Sequence, residues 1–382
     1  MKILITGVST RAVAESAVKG SLGHEIVTVD YFGDRDQKAL CPNLSLKRDF
    51  GKPYSVEALF QVCRSLRFDA LVYISNLENH PRIVERLSRG RLLLGNPPAV
   101  LSRVRDPSEF FAFLARLGIP FPKTFRSLDR AAIGGHGPFL RKPIRSGGGH
   151  GIAFYRQGHR IGKGFLLQEY TPGLPCSAAF VADGSRCVLL GLSEQLIGDK
   201  AFGAQGFRYC GNLLWPIIGP PEGILAKLEG ILQTMTREFR LVGVNGMDFI
   251  LKEGEIYPVE VNPRYTASME LIERGYGLSI FDLHVEACRG KLPIGISNLE
   301  FGISKGAFFG KAILFAERDL TVKGTEGWWE KGIRDIPFEG EQIRKDRPIC
   351  TIFSQGKDRE ECYGELVEVA RPLLVSLATS SR

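Results

Sequence analysis

Over the first hundred positions, short apolar runs alternate with stretches whose apolar residues recur at helical spacing, a pattern that predicts strands and helices in turn. Lys2-Ile3-Leu4-Ile5-Thr6 is a buried-strand run closed by Gly7. Residues 11–19 carry Ala12, Val13, Ala17 and Val18 on one face of a helix. A second strand follows at 25–29, a helix at 58–66, a strand at 70–74 and the start of a further helix at 81–87. Such alternation defines an α/β N-terminal parallel-sheet domain ending near Val100.

The pattern then changes. Residues 106–118 form an amphipathic helix (Phe110, Phe111, Phe113, Leu114, Leu117) that ends at Gly118 and is stopped by Pro120 and Pro122. Short strands surround a glycine-rich loop at 147–151, another strand lies at 165–168, and 178–182 pairs with 187–192, so the centre reads as α+β built from hairpins. Residues 195–212, with Gly203, Gly206, Arg208 and Gly211, read as a loop facing a cleft. The end holds a strand at 311–316, a glycine-, proline- and charge-rich middle, a strand at 349–353 and a last helix at 359–377, a small C-terminal α+β region.

Length and composition narrow the class. At 382 residues the chain exceeds one domain of about 150, so two or three are expected. With 44% hydrophobic and 24% charged residues, global disorder is excluded. Apolar stretches such as 187–192 fall far short of the roughly 18 residues that span a bilayer, and the N-terminal run lacks a signal-peptide h-region, so no membrane association is expected and the location is read as cytoplasmic. The eight cysteines show no C-x-x-C pair and read as reduced thiols, mostly core. Lys plus Arg (50) exceed Asp plus Glu (42), which suits an anionic ligand, but no basic block or aromatic-interleaved patch indicates nucleic acid.

Two constellations carry chemistry. In Arg141-Lys142-Pro143-Ile144-Arg145-Ser146-Gly147-Gly148-Gly149-His150-Gly151, a Lys at a strand end precedes a loop whose glycines let bare amides approach phosphate oxygens. It matches neither the P-loop nor the dinucleotide spacing, and a flexible hairpin tip is the plain alternative. In the second, residues 246–264 read as a hairpin about Gly254, which sets Asp248 opposite Glu260, with Asn262 on the same face. Opposed carboxylates repel unless a cation sits between them, and Asp, Glu and Asn are hard oxygen donors suited to Mg²⁺. Arg264 lies near the same mouth; the alternative is a solvated rim, against which the apolar neighbours Met247, Phe249, Val259 and Val261 argue. A lysine with a glycine loop, and a metal site of two carboxylates and an amide, together imply a nucleoside triphosphate.

The order and spacing of these groups resemble the ATP-grasp superfamily, and residues 106–290 resemble biotin carboxylase and the purine-biosynthetic carboxylase of that fold. The opening Gly7-Val8-Ser9-Thr10-Arg11-Ala12, with residues 29–36 and 345–353, is similar to a branch of predicted ATP-dependent carboligases related to biotin carboxylase. The resemblance implies a pre-ATP-grasp, Rossmann-like domain over 1–100, an ATP-grasp domain over 101–298 and a small C-terminal region over 299–382. It implies that Lys142 contacts the nucleotide phosphates, that Gly147, Gly148, Gly149 and Gly151 form a flap over them, and that Gln168, Glu169 and Tyr170 lie in an inter-lobe linker reading the adenine edge. Asp248, Glu260 and Asn262 fall on the Mg²⁺ ligand positions, with Mn²⁺ as a substitute, and Arg264 on the arginine that steadies an acyl-phosphate.

Two positions depart from the family pattern. Asp106-Pro107 stands where relatives often carry Asp-Lys, leaving Arg105 or Arg103 to substitute, and Pro175-Cys176-Ser177 stands where a ribose-binding Glu is often found. The activity implied is a Mg-ATP-dependent ligase joining a small-molecule carboxylate to an amine through an acyl-phosphate, in a monomer or homodimer. The alternatives are a bicarbonate-using carboxylase and a binding module without catalysis. A third candidate site is Gly7 to Arg11, where helix-start amides, two hydroxyls and a cation could dock a substrate carboxylate; capping by Ser9 or Thr10 is its plain alternative. His24, His80, His136, His150, His159 and His284 do not cluster at metal-ligand spacing, and the pair Trp328-Trp329 reads as packing.

Overall fold

The computed structural model describes residues 1–126, 137–156, 158–216, 220–221, 223–293 and 306–379; His136 and the expected division at 298 lie outside the described residues. The first layer is a five-stranded parallel sheet ordered β3-β2-β1-β4-β5, from β1 (Lys2–Thr6), β2 (Glu25–Asp30), β3 (Asn43–Ser45), β4 (Ala70–Tyr73) and β5 (Leu92–Leu93). Its helices are α1 (Arg11–Lys19), α2 (Arg35–Leu40), α3 (Val56–Cys63) and α4 (Pro81–Ser88). Because β1 pairs with β2 on one side and β4 on the other and is covered on both faces, Ile3, Leu4 and Ile5 are all buried, which is why that segment is a continuous apolar run.

Helices α5 (Pro98–Val104) and α6 (Pro107–Arg116) lead out of this layer. The Asp106 carboxylate caps α6 by accepting from Ser108 N at 2.7 Å, and Pro107 is the first helical residue, where a missing N–H costs nothing. A small antiparallel sheet, ordered β6-β9-β7-β8, follows from β6 (Thr124–Phe125), β7 (Phe139–Pro143), β8 (Ala153–Phe154) and β9 (Phe165–Glu169).

The largest sheet has seven strands: β10 (Leu174–Asp183), β11 (Cys187–Ile197), β12 (Tyr209–Leu214), β13 (Val242–Lys252), β14 (Glu255–Asn262), β15 (Phe308–Phe315) and β18 (Pro348–Gly356). All are antiparallel, in the order β14-β13-β10-β11-β12-β15-β18, so the last two come from the carboxy-terminal region. Strand β10 shows why its sequence is apolar throughout. Cys176, Ala178, Phe180 and Ala182 pack beneath α7 (Ile224–Phe239), while Ala179 and Val181 face α8 (Met269–Tyr276) and α9 (Ile280–Ala287). Helix α7 is absent from the expected elements, although Ile224, Leu228, Leu232, Met235 and Phe239 are buried along it at helical spacing. The short ribbon β16 (Leu320–Thr321) with β17 (Gln342–Ile343), and helix α10 (Arg359–Thr379), complete the chain. Trp328 is buried in the core that α10 covers, as the packing reading expects, and all eight cysteines are free thiols.

The third candidate site is overturned here. Arg11 is 1% exposed and its guanidinium is consumed by carboxylates: it pairs with Glu270, Glu15 (3.2 Å) and Asp335 (3.0 Å). The Thr10 hydroxyl donates to Asp30 (2.8 Å) rather than to the start of α1, and Asp30 is itself spent on Thr10 and the Gly33 amide. Glu270 in turn accepts from Lys311 at 2.6 Å, so one charge cluster ties α1, α8, β15 and the 335 segment together. Removing one partner of such a cluster leaves charge buried without compensation. Arg11→Met is expected to lower unfolding free energy by about 3–5 kcal/mol in urea titration; a loss below about 1 kcal/mol would contradict the assignment.

Beside this cluster Glu273 is buried, which pushes its carboxyl up to about 7 despite bonds from Ser16, the Ile280 amide and Tyr265, with the Glu270 charge adding to the rise. The folded state therefore holds a proton that the unfolded chain releases near 4.5. Stability from this group is full below that value and is lost as pH rises through about 7. Glu273→Gln should gain stability relative to the parent between about pH 5 and pH 8 in thermal melts, and a constant difference across that range would refute it.

Candidate active site

A cleft of about 650 Å³ runs between the small antiparallel sheet and the large one, and continues to the ends of β1 and β4, where Ser9 and Ser75 line it. At its centre Asp248 on β13 pairs with Glu260 on β14, the expected register. The route to it differs from the expected odd loop. The turn holds two residues, Glu253 and Gly254, both at positive φ (52° and 76°), with Lys252 opposite Glu255. That register would set Asp248 against Val259, but a bulge between Phe249 and Asp248 inserts one residue and delivers Glu260 instead. Asn262, opposite Gly246 on the same face, donates Nδ2 to Asp248 Oδ2 at 2.9 Å.

The surroundings divide the two carboxylates electrostatically. Burial, then the Glu260 charge, push Asp248 up to about 7, against hydrogen bonds from Ser177 and Asn262. Burial also acts upward on Glu260, but Arg105, Lys142 and Arg264 outweigh it and hold that carboxyl below its ordinary value. Arg105 donates to Glu260 Oε2 (3.3 Å) and to the Val261 carbonyl (2.8 Å). Of the two arginines considered as substitutes at Pro107, Arg105 is therefore the one beside the carboxylates. Arg103 turns outward to Glu109 and Glu238. Two hard carboxylates and an amide facing one another fit Mg²⁺, because a cation between them removes the repulsion that raises Asp248. Among the described residues no group of three His, Cys, Asp or Glu has a metal-holding arrangement.

Lys142, at the end of β7, donates to Gln168 Oε1 at 2.8 Å, and burial lowers its pKa while Glu260 and Asp248 oppose that shift. Gln168 is buried and passes the contact to the Thr124 hydroxyl (3.1 Å). The Glu169 and Tyr170 amides are spent on the Lys123 and Pro138 carbonyls, 2.8 Å each. Gly147, Gly148 and Gly149 line the cleft, whereas Gly151 sits against Pro143. Gly148 accepts from the Tyr209 amide at 3.1 Å, and Gly149 lies so close that a Cβ would stand 1.7 Å from the Phe207 carbonyl oxygen. Phe154, Tyr170 and Phe207 pack edge to face beside this contact. Cys176 is buried in the core, so of the segment facing the missing ribose Glu only Pro175 and Ser177 line the cleft.

Arg264 donates Nε to Glu78 (2.8 Å), NH1 to the Tyr265 carbonyl (3.0 Å) and NH2 to Asn262 Oδ1 (3.1 Å). The site also contains groups the sequence reading did not single out: Gln195, which donates to Asp248 Oδ1 (3.0 Å), and Lys311, Asp335 and Thr351 at the far end. Gln195 was reachable, since the segment it opens was marked as facing a cleft. The others were not, because strands β15 and β18 meet the site only through sheet order.

Residues 104–268 match the family model described as the ATP-grasp domain. An uncharacterized protein of Methanocaldococcus jannaschii is 23% identical over 376 residues, covering 93% of this chain and 88% of that one. The carbamoyl phosphate synthase large chain of Thermoplasma acidophilum is 24% identical over 78% of this chain, which spans only 29% of that relative. Among solved structures, a biotin carboxylase–ATP complex from Campylobacter jejuni superposes with a TM-score of 0.72 at 14% identity, covering 97% of this chain and 90% of that one. An L-amino acid ligase from Bacillus licheniformis gives 0.65 at 16%, with 97% of each chain covered. These likenesses establish the fold. Among the described residues no helix is long and apolar enough to cross a membrane.

The Gly149 contact makes a local prediction. Gly149→Ala cannot keep both its φ of 73° and its distance to Phe207, so the loop should lift from the 207–209 segment. Exchange of the Tyr209 amide proton is expected to speed by about tenfold or more, and unchanged protection would show that the contact is not held this way.

Proposed function

We propose that this protein is a Mg-ATP-dependent ligase that phosphorylates a substrate carboxylate and transfers the acyl group to an amine, forming an amide with release of ADP and phosphate. The observation that carries the reading is the opposed pair Asp248 and Glu260 on one face with Asn262, beside the half-buried cation Lys142. Phosphoryl transfer needs mainly positioning and charge neutralisation, and this arrangement supplies both.

In this reading Asp248, Glu260 and Asn262 hold Mg²⁺, which when bound neutralises phosphate oxygens. Lys142 meets those oxygens as a point charge, and the loop amides of Gly147 to Gly149, with Gly151 shaping the turn, lie over them. Arg105, which bonds to Glu260 and helps hold it ionised, is the cation that stands in for the absent lysine at Pro107 beside the nucleotide. The adenine edge meets carbonyls of the 168–170 linker, since the Glu169 and Tyr170 amides are already bonded. Arg264 offers its remaining N–H groups to the acyl-phosphate. Similarity to an L-amino acid ligase supports amide formation; similarity to biotin carboxylase and to carbamoyl phosphate synthase supports a second reading in which bicarbonate is the acid.

The test is ADP release with Mg-ATP across carboxylate and amine pairs, with and without bicarbonate, reading products by mass. Glu260→Gln keeps the shape but removes the charge that Arg105, Lys142 and Arg264 surround, and should lower ADP release at least about a hundredfold while the fold persists. Undiminished turnover would sink the ligase assignment, and ADP that appears only with bicarbonate would replace it with the carboxylase.

A further inference from the structure

The two arginines nearest the opposed carboxylates are both held by one helical turn of the N-terminal sheet, at Leu77–Asn79. Leu77 is fully buried in the core that β1, β2 and β4 share with α3 and α4, so this turn cannot shift without disturbing that layer. From it, Glu78 accepts from Arg264 Nε at 2.8 Å and Asn79 Oδ1 accepts from Arg105 Nε at 3.1 Å. Glu78 is 1% exposed, and among the described residues its second oxygen, Oε2, is buried without a hydrogen-bond partner, as is the Asn79 Nδ2. A buried carboxylate that uses half its acceptor capacity is a poor way to gain stability, because desolvating two charges typically costs more than one contact returns. Orientation gives it a purpose. A guanidinium has five N–H donors in a rigid fork, and fixing Nε fixes the plane in which the other four point.

We propose that Glu78 and Asn79 are positioning residues: Glu78 sets the plane of Arg264 and Asn79 that of Arg105, so that the N-terminal sheet determines the geometry of acyl-phosphate capture. The inference rests on the role given to Arg264 above. Glu78 acts through Arg264 alone, and Asn79 acts on the metal-site carboxylate Glu260 through Arg105. The arrangement makes the N-terminal layer part of the chemistry, because loss of its turn would release the Nε of each guanidinium and leave Arg264 oriented only by Tyr265 and Asn262 and Arg105 only by Glu260 and Val261.

The test uses the full chain labelled with ¹⁵N-arginine, the parent and the variants Glu78→Gln, Arg264→Lys and the double variant. The Arg264 Nε–H resonance, assigned by its disappearance in Arg264→Lys, should be sharp and slow to exchange in the parent. In Glu78→Gln it should move and exchange several-fold faster. ADP release should fall on the order of tenfold to a hundredfold in kcat, with KM for Mg-ATP changed by less than about twofold. The double variant should lose no more than Arg264→Lys alone, since both changes remove one unit. Glu78→Asp keeps the charge, should restore part of the rate, and carries the comparison if Glu78→Gln fails to fold. An unmoved Nε–H signal overturns the positioning role whatever the activity. A moved signal with unchanged kcat, or additive losses in the double variant, overturns its catalytic consequence. If the parent releases no ADP with any pair, the ligase reading falls, while the resonance still decides whether Glu78 fixes Arg264.

Discussion

Two half-buried carboxylates set opposite one another, with Cβ atoms about 4.5–5.5 Å apart, repel when both are ionised unless positive charge stands nearby, and the cleft is organised around that constraint. The protein resolves it unequally. Glu260 receives the cations, from Arg105, Lys142 and Arg264, and stays ionised, whereas Asp248 receives the neutral amides of Gln195 and Asn262 and is pushed up to about 7. Asp248 is thus only partly ionised at neutral pH, and a divalent cation between the two carboxylates would favour the ionised form of both. Lys142 belongs to the same balance: burial lowers its pKa, and the carboxylates oppose that shift.

These cations come from separate parts of the chain, so their convergence depends on tertiary packing. Arg105 follows α5, Lys142 ends β7 and Arg264 follows β14. The far end of the cleft is fixed by a second charge cluster, in which Arg11 from α1 meets Glu270 from α8 and Asp335 from the carboxy-terminal region. Polar links therefore join the parallel and antiparallel sheets at both ends. Their strength comes from burial, and for the same reason their partners cannot be exchanged one at a time.

Local signals in the sequence were enough for the elements they govern. Helix α1 begins and ends where its apolar spacing puts it, and Asp248 was placed against Glu260 from the hairpin alone. Yet that placement was reached through a loop of the wrong parity, and only the bulge, which no composition rule marks, makes it true. Arg11 illustrates what local reading cannot see. At a helix start beside two hydroxyls it looks like a free cation, because the carboxylates that consume it are Glu270 and Asp335, 259 and 324 positions away. Glu78 and Asn79 were hidden likewise: in a short polar segment after a strand nothing distinguishes a solvated turn from one whose side chains are buried against distant arginines.

Net charge, read alone, does not locate the site. An excess of 8 positive charges suits an anionic ligand when read from the sequence, yet among the described residues the cleft itself is lined by four cations, Arg11, Lys142, Arg264 and Lys311, and by four carboxylates, Glu169, Asp248, Glu260 and Asp335. What distinguishes the centre of the cleft is placement: Arg11 and Lys311 are each matched by a carboxylate partner, while Lys142 is bonded to a neutral amide and Arg264 keeps N–H groups beyond those bonded to Glu78, Tyr265 and Asn262. The part of the basic excess that stands nearby is on the lobe carrying the glycine-rich loop, where Arg145, Arg156, Arg160 and Lys163 are exposed and no Asp or Glu occurs from 143 to 168. A surface of that sign acts on the rate at which an anion arrives, and screening by salt would weaken it, whereas the buried set acts after arrival and is screened far less.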